Sequence, residues 1–209
     1  TTGLLDVANP RFQQKVALIR ELRQLEADLI LVDLDSGAHL NTLDFFLLTD
    51  TDGILVITPE KTSIDSAFKF LRAALFRRIE RFYQSPDVAV LLKRSETVPA
   101  FLESVVRSEV FEREEARRAC GEIVAIARTI RPRVVVNRAV NPYEAQIAAN
   151  ILTKYARHRL LIQPETLGFL YLDKCVSEAV NLGVPFVVRY PKRRASVCIA
   201  EIANRLGFV

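Results

Sequence analysis

Two carboxylates and a glycine follow the first strongly apolar run of the chain. Leu29–Val32 leads directly into Asp33, and Asp35, Ser36 and Gly37 come just behind it. A carboxylate at the carboxyl end of a buried parallel strand faces the crevice in which open α/β sheets bind ligands. There it can accept hydrogen bonds from water on Mg2+. Gly37, with no Cβ, would let a backbone N–H come close to a phosphate oxygen. A second carboxylate beside phosphate is repelled unless a cation offsets it, so Asp35 is expected to point to solvent. Asn137 follows another apolar run, and its amide carries both a donor and an acceptor, which suits the edge of a nucleobase. Leu172 and Asp173 end a further run and fall at the same rim. His39 and His158 have no Cys or His at ligand spacing and read as loop or surface residues. Ser36 has no His/Asp context and no nucleophile elbow, so serine hydrolysis is not expected.

These residues need elements to hold them. Leu29–Val32 and Ile54–Ile57 are too short for helices, rich in Leu, Ile and Val, and bounded by acidic or turn residues. Both read as fully buried parallel strands. Asn9 is placed to cap a helix from Pro10 to Glu26, and Leu40–Leu48 reads as a short apolar helix. Pro59 closes the second strand. Thr62 or Ser63 then caps a long helix to about Tyr83, with Ile64, Phe68, Leu71, Leu75 and Ile79 inward and Lys69, Arg72, Arg77, Arg78 and Arg81 on the other side. Residues 85–130 carry no strand signal and read as two or three helices, the last from Glu112 to Thr129. Arg133–Val136 is a third strand and Pro142–Arg157 a helix. Leu167–Leu172 is a fourth strand, followed by a short helix, Asp173–Asn181, and a brief apolar run, Val184–Val188. Ala195–Leu206 closes the chain, with Val197, Ile199, Ile202 and Leu206 inward. Strands alternating with helices predict one α/β domain, a mostly parallel sheet with helices on both faces and a helical insertion at about 85–130.

Composition narrows the class. The chain has 209 residues, half of them hydrophobic, which is enough for one domain with a real core. It has no apolar run long enough to span a bilayer and no secretory signal pattern. Cys120, Cys175 and Cys198 are widely spaced and odd in number, and they read as reduced, mostly buried thiols of a cytoplasmic protein. A net charge of +4, from 29 basic and 25 acidic residues, does not by itself imply nucleic acid. The clusters Arg77-Arg78-Arg81, Arg117-Arg118, Arg131-Arg133 and Lys192-Arg193-Arg194 are interleaved with Glu and read as solvated faces. The closing helix carries few exposed basic residues and reads as a packed element, not a membrane anchor. The chain contains no Met and starts at Thr1-Thr2-Gly3, as expected of a piece of a longer protein.

Four blocks resemble the MinD/ParA group of P-loop ATPases, most closely the MinD-like proteins related to the flagellar-number regulator FlhG. LILVDLDSG resembles the Walker B strand and switch loop of that group. DGILVITPEKTSIDSAFKFL resembles the next strand, with its Thr-Pro-Glu, and the helix entered through Thr-Ser. VVVNRAV resembles the strand whose Asn contacts the nucleotide base, and LGFLYLDKCVSEAVNLGVPFVVRYPKRRAS resembles the closing block. Their order and spacing span residues 27–200. The resemblance implies a P-loop NTPase-like fold, with Asp33 as the catalytic acid holding Mg2+ through water and Gly37 as the switch glycine. It implies ATP or ADP bound with help from Asn137, Leu172 and Asp173. The phosphate loop of the group, G-x-x-x-x-G-K-[ST], occurs nowhere in the chain. The first βα unit is therefore expected either upstream of Thr1 or absent from a degenerate relative.

Two functions are implied. One is a cytoplasmic ATPase switch that dimerises face to face on its nucleotides and positions a flagellum, division site or DNA locus through a protein partner. DNA or membrane contact, known in the group, has no support in these residues. The other is a non-hydrolysing α/β module that uses residues 85–130 to hold a protein partner. A metabolic relative such as an amidoligase or a metal-cluster carrier is a third option, and the carrier would want paired cysteines.

Overall fold

The structure is a computed structural model that describes residues 10–49 and 53–207. The chain divides into two compact units. One takes in the described residues up to Gly53, Lys69–Ile130 and Arg159–Ile162; the other takes in Ile54–Phe68, Arg131–His158 and the described residues from Gln163.

The second unit is built on a small parallel sheet. Strands β1 (Ile54–Ile57), β2 (Arg133–Ala139) and β3 (Glu165–Tyr171) lie in the order β1-β2-β3, all parallel. Val134, Val135 and Val136 of β2 are all buried, so both faces of the central strand are covered, as an unbroken valine run requires. Helix α7 (Pro142–Tyr155) follows β2 and lays Ala145, Ala148, Ala149 and Leu152 inward. A single π-helical turn, Ala156–Leu160, follows it. Helices α8 (Lys174–Asn181), α9 (Phe186–Arg189) and α10 (Arg194–Arg205) follow β3, and α10 packs on that strand.

The first unit is helical. It holds α1 (Phe12–Leu22), α2 (Leu40–Leu48), most of α3 (Lys61–Tyr83), and α4 (Pro86–Arg94), α5 (Val98–Arg107) and α6 (Arg113–Thr129). Residues 86–129 are thus three helices, where the sequence predicts two or three. Ser85 and Thr97 cap α4 and α5 by accepting from Val88 N and Ala100 N. Leu71, Leu75, Ile79, Phe101, Val105 and Ile123 form its dry core. Tyr83 donates its hydroxyl to Glu122 Oε2 at 2.9 Å, with the Ala119 carbonyl 3.2 Å away. Burial, followed by that carboxylate, pushes the phenol well above its ordinary value.

Several expectations are corrected. Leu29–Val32 is not a strand: its backbone is irregular, it joins no ladder of the described sheet, and its four side chains are exposed, Leu31 by 74 %. An apolar run becomes a buried parallel strand only with a paired neighbour and cover on both faces, and among the described residues it has neither. Asp33 therefore does not emerge from a strand end. β1 is an edge strand with one open face, Val56 being 63 % exposed, rather than a fully buried strand. Helix α1 begins at Phe12 and ends at Leu22; Asn9, the expected cap, lies outside the described residues. Thr62 and Ser63 lie inside α3, not at its cap, and Ser63 Oγ instead accepts from Thr58 N at 2.9 Å. In α10 the buried side is Ala195, Ser196 and Cys198, whereas Val197 and Ile199 are exposed.

The charged side of α3 is not simply solvated either. Asp44, on the apolar helix α2, is 2 % exposed and accepts from Lys15 Nζ at 2.7 Å and Arg77 Nε at 3.0 Å. Arg81 lies 3.9 Å away, and one nitrogen of Arg78 is buried with no partner. Burial works against the Asp44 charge, but hydrogen bonds and charge from Arg77 and Lys15 outweigh it and hold the carboxyl below its ordinary value.

Candidate functional site

The carboxyl ends of three parallel strands make one rim, and a β-bulge shapes its centre. From Val136 to Ala139 β2 takes three steps while β3 takes two, from Phe169 to Tyr171, so Asn137 and Arg138 together stand opposite one residue of the partner. Arg138 reaches this geometry at φ 61°, in the left-handed region that a non-glycine residue adopts only at a cost of about 1 kcal/mol or more. The bulge turns Asn137 so that its Oδ1 accepts from Arg138 N at 2.8 Å. Its amide nitrogen makes no hydrogen bond to any described residue, so two donors remain at the strand end.

Neighbouring strand ends complete the rim. Leu172 N donates to the Ala139 carbonyl at 2.9 Å, tying the end of β3 to the end of β2 and leaving the Leu172 side chain 56 % exposed. Beside it, Asp173 caps α8 by accepting from Cys175 N at 2.9 Å. Its carboxylate is also held by Arg193, Nε to Oδ2 at 3.2 Å and Nη2 to Oδ1 at 3.0 Å. The Cys175 N–H and, after it, Arg193 keep the Asp173 carboxyl below its ordinary value. At the end of β1, Thr58 and, with a smaller part, the charge of Arg138 lower Glu60 in the same way. Arg194 lies over the Tyr171 ring, 5.6 Å from its centroid.

The structure thus brings together Asn137, Leu172 and Asp173. Asp33 and Gly37 belong to the other unit, on exposed irregular backbone. Gly37 has φ 108°, so its position does call for glycine. Asp35 Oδ1 accepts from Ser36 N at 2.7 Å and the side chain is exposed. His39 and His158 are both exposed. Thr58 and Glu60 entered the sequence reading only as the Thr-Pro-Glu of a resembling block, and Arg138 only as the residue after a strand-end Asn; none of the three was singled out for the site. Arg193 was grouped with a solvated cluster and is in fact a partner of Asp173.

In chemical terms the rim presents hydrogen-bonding, apolar and charged groups. It offers two amide donors, an exposed aliphatic surface for a flat ring, and a guanidinium and carboxylate at its edge. Asp173 is committed to a cap and an ion pair, which makes it a brace for the rim more than a free ligand. Among the described residues no group of three or more His, Cys, Asp or Glu could hold a metal ion. A cleft of about 220 Å3 lies elsewhere, between α7, α10 and the middle of the sheet, lined by Val136, Ala145, Leu167, Phe169, Cys198 and Ile202 among others. Arg205 Nη1 donates across it to the Leu167 carbonyl at 2.5 Å.

No protein-family model matches the chain, and no curated protein matches it. Among the described residues no helix is long and apolar enough to cross a membrane.

Proposed function

We propose that this chain carries the base-side part of a MinD/ParA-like, P-loop NTPase-type nucleotide switch. ATP or ADP would lie against the rim of β2 and β3. The observation that carries the reading is the bulge, which leaves the Asn137 amide nitrogen unengaged at the strand-end rim that also carries the exposed Leu172. Hydrogen bonds from an amide to one edge of a purine, with an aliphatic side chain against its face, are how such rings are held. Strain stored in Arg138 at a strand end also fits a binding role, since bulges of this kind recur beside functional sites.

Mg2+ demands near-octahedral oxygen geometry, usually from one or two carboxylates, waters and substrate phosphates. For Asp33 as a water-mediated carboxylate and Gly37 as a close backbone approach the only support is the resemblance of LILVDLDSG, since both stand on exposed irregular backbone of the other compact unit. Neither supplies the triphosphate cradle, and the 209 residues contain no G-x-x-x-x-G-K-[ST] loop. In this reading hydrolysis, face-to-face homodimerisation and the positioning of a cellular structure belong to the site completed with that cradle.

The test is nucleotide binding to this chain by titration calorimetry or fluorescence, with Mg2+. ATP is expected to bind weakly, with an affinity close to that of adenosine because the cradle is missing. Asn137→Ala should weaken both by about 10-fold, the worth of one or two hydrogen bonds. Equal binding by the wild type and Asn137→Ala would remove the rim from the site. A second reading, a protein-binding module with no nucleotide, draws on the exposed Leu29–Val32 run. Saturable adenosine binding argues against it.

A further inference from the structure

Helix α7 is apolar on two sides. Its inner side is small and buried: Ala145, Ala148, Ala149 and Leu152. Its outer side carries Tyr143, Ile147, Ile151 and Tyr155 at strict four-residue spacing, exposed by 76, 42, 37 and 42 %. Residues four apart form one ridge on a helix, so these four side chains make one continuous stripe. Val140, 66 % exposed, extends it at the amino end, and Phe68 braces Tyr155 edge-on at 6.2 Å between ring centroids. A helix apolar all round is normally covered on both sides, and a contiguous exposed stripe marks an association surface.

We infer that this stripe is the contact for a second copy of the same chain, with the two α7 helices packed antiparallel about a two-fold axis. Isologous pairing requires a surface that matches itself when reversed. The stripe does so: read from either end it runs Tyr, Ile, Ile, Tyr, and Tyr143 of one copy lies along the Ile151 and Tyr155 end of the other. The charges select the direction. Glu144 stands in the first turn and Lys154 in the last. Parallel packing sets Lys154 beside Lys154 and adds the helix dipoles. Antiparallel packing brings each Lys154 to the level of the Glu144 of the other copy and opposes the dipoles. Gln146, Asn150 and Lys154 form the next ridge, a polar border to the apolar stripe. Tyrosines at both ends suit such a contact, since each buries a large face and leaves its hydroxyl at the wet edge. Four side chains per copy fall short of the roughly 800 Å2 per partner of a standard interface, so the pair is a weak one, formed in the micromolar range. It involves neither the strand-end rim nor nucleotide.

The experiment is sedimentation equilibrium of the chain from about 5 to about 300 µM, without nucleotide and with a chelator present, a range that brackets a micromolar dissociation constant. A monomer–dimer equilibrium is expected. Ile147→Glu combined with Ile151→Glu should weaken it by at least about 10-fold with an unchanged circular dichroism spectrum, since both positions are partly exposed. If that variant fails to fold, Ile147→Gln is read in its place. Lys154→Glu should weaken the dimer, and more so at low salt, whereas Val106→Glu, at an exposed position of α5, should leave it unchanged. A monomer at every concentration, or a dimer indifferent to the stripe substitutions, overturns the proposal. Indifference to Lys154→Glu overturns the antiparallel arrangement.

Discussion

Replacing Asp44 by Ala would leave Lys15, only 3 % exposed, with no counter-charge. Removing one partner of a buried pair costs about 3–5 kcal/mol, because the remaining charge has lost its water and gains nothing in return. Urea unfolding should show that loss for Asp44→Ala, and a smaller one for the isosteric Asp44→Asn, which can still accept a hydrogen bond. The same carboxyl sets an acid limit. Its folded value lies below the ordinary 3.8, so its stabilisation is fully present above that pH and is lost as pH falls through the folded value. Stability of the wild type should therefore drop below pH 3.8 with a slope that Asp44→Asn lacks. Little of this was legible beforehand. An acid inside LDFFLL is conspicuous, but only three helices meeting could show that Lys15 and Arg77 answer it. Asn137, by contrast, could be singled out from its place after a valine run. That its amide nitrogen stays unengaged depends on a bulge, and therefore on the register with β3, which no local pattern encodes.

Caps and turns carry the elements. Asn141 opens α7 by accepting from Glu144 N at 2.9 Å, while Glu144 Oε2 accepts from Val140 N at 2.6 Å. Asn141→Ala should lower stability by about 1 kcal/mol, and thermal unfolding would read it. Gly53 sits at φ 67°, and a Cβ there would overlap the Phe46 ring. Gly53→Ala combines backbone strain with a clash against a buried aromatic and should cost about 2 kcal/mol or more, visible as a shifted urea midpoint. The long amphipathic helices were readable because one stripe of each is both periodic and buried. In α3 that stripe includes Ile64, Leu71, Leu75 and Ile79, each at most 3 % exposed. In α10 the exposed Val197 and Ile199 show the limit of the method: apolar identity says nothing about which side finds a partner.

At the scale of the whole molecule, the apolar run Leu29–Val32 separates two accounts. As a buried strand, its Leu31 would cost several kcal/mol to replace; exposed as it is, Leu31→Ser should change the unfolding free energy by less than about 0.5 kcal/mol. Denaturant unfolding distinguishes the two. The α/β class, the all-helical character of residues 86–129 and parallel strands at Ile54, at Arg133 and, two residues late, at Leu167 were within reach of periodicity and turn chemistry. Those signals are local, written within a dozen residues, and so the sequence alone could carry them. Which strands pair, where a bulge falls, which apolar runs stay uncovered and which cations surround a carboxylate depend on segments far apart in the chain. Burial and pairing are properties of neighbours, and neighbours are assigned only when the chain has folded.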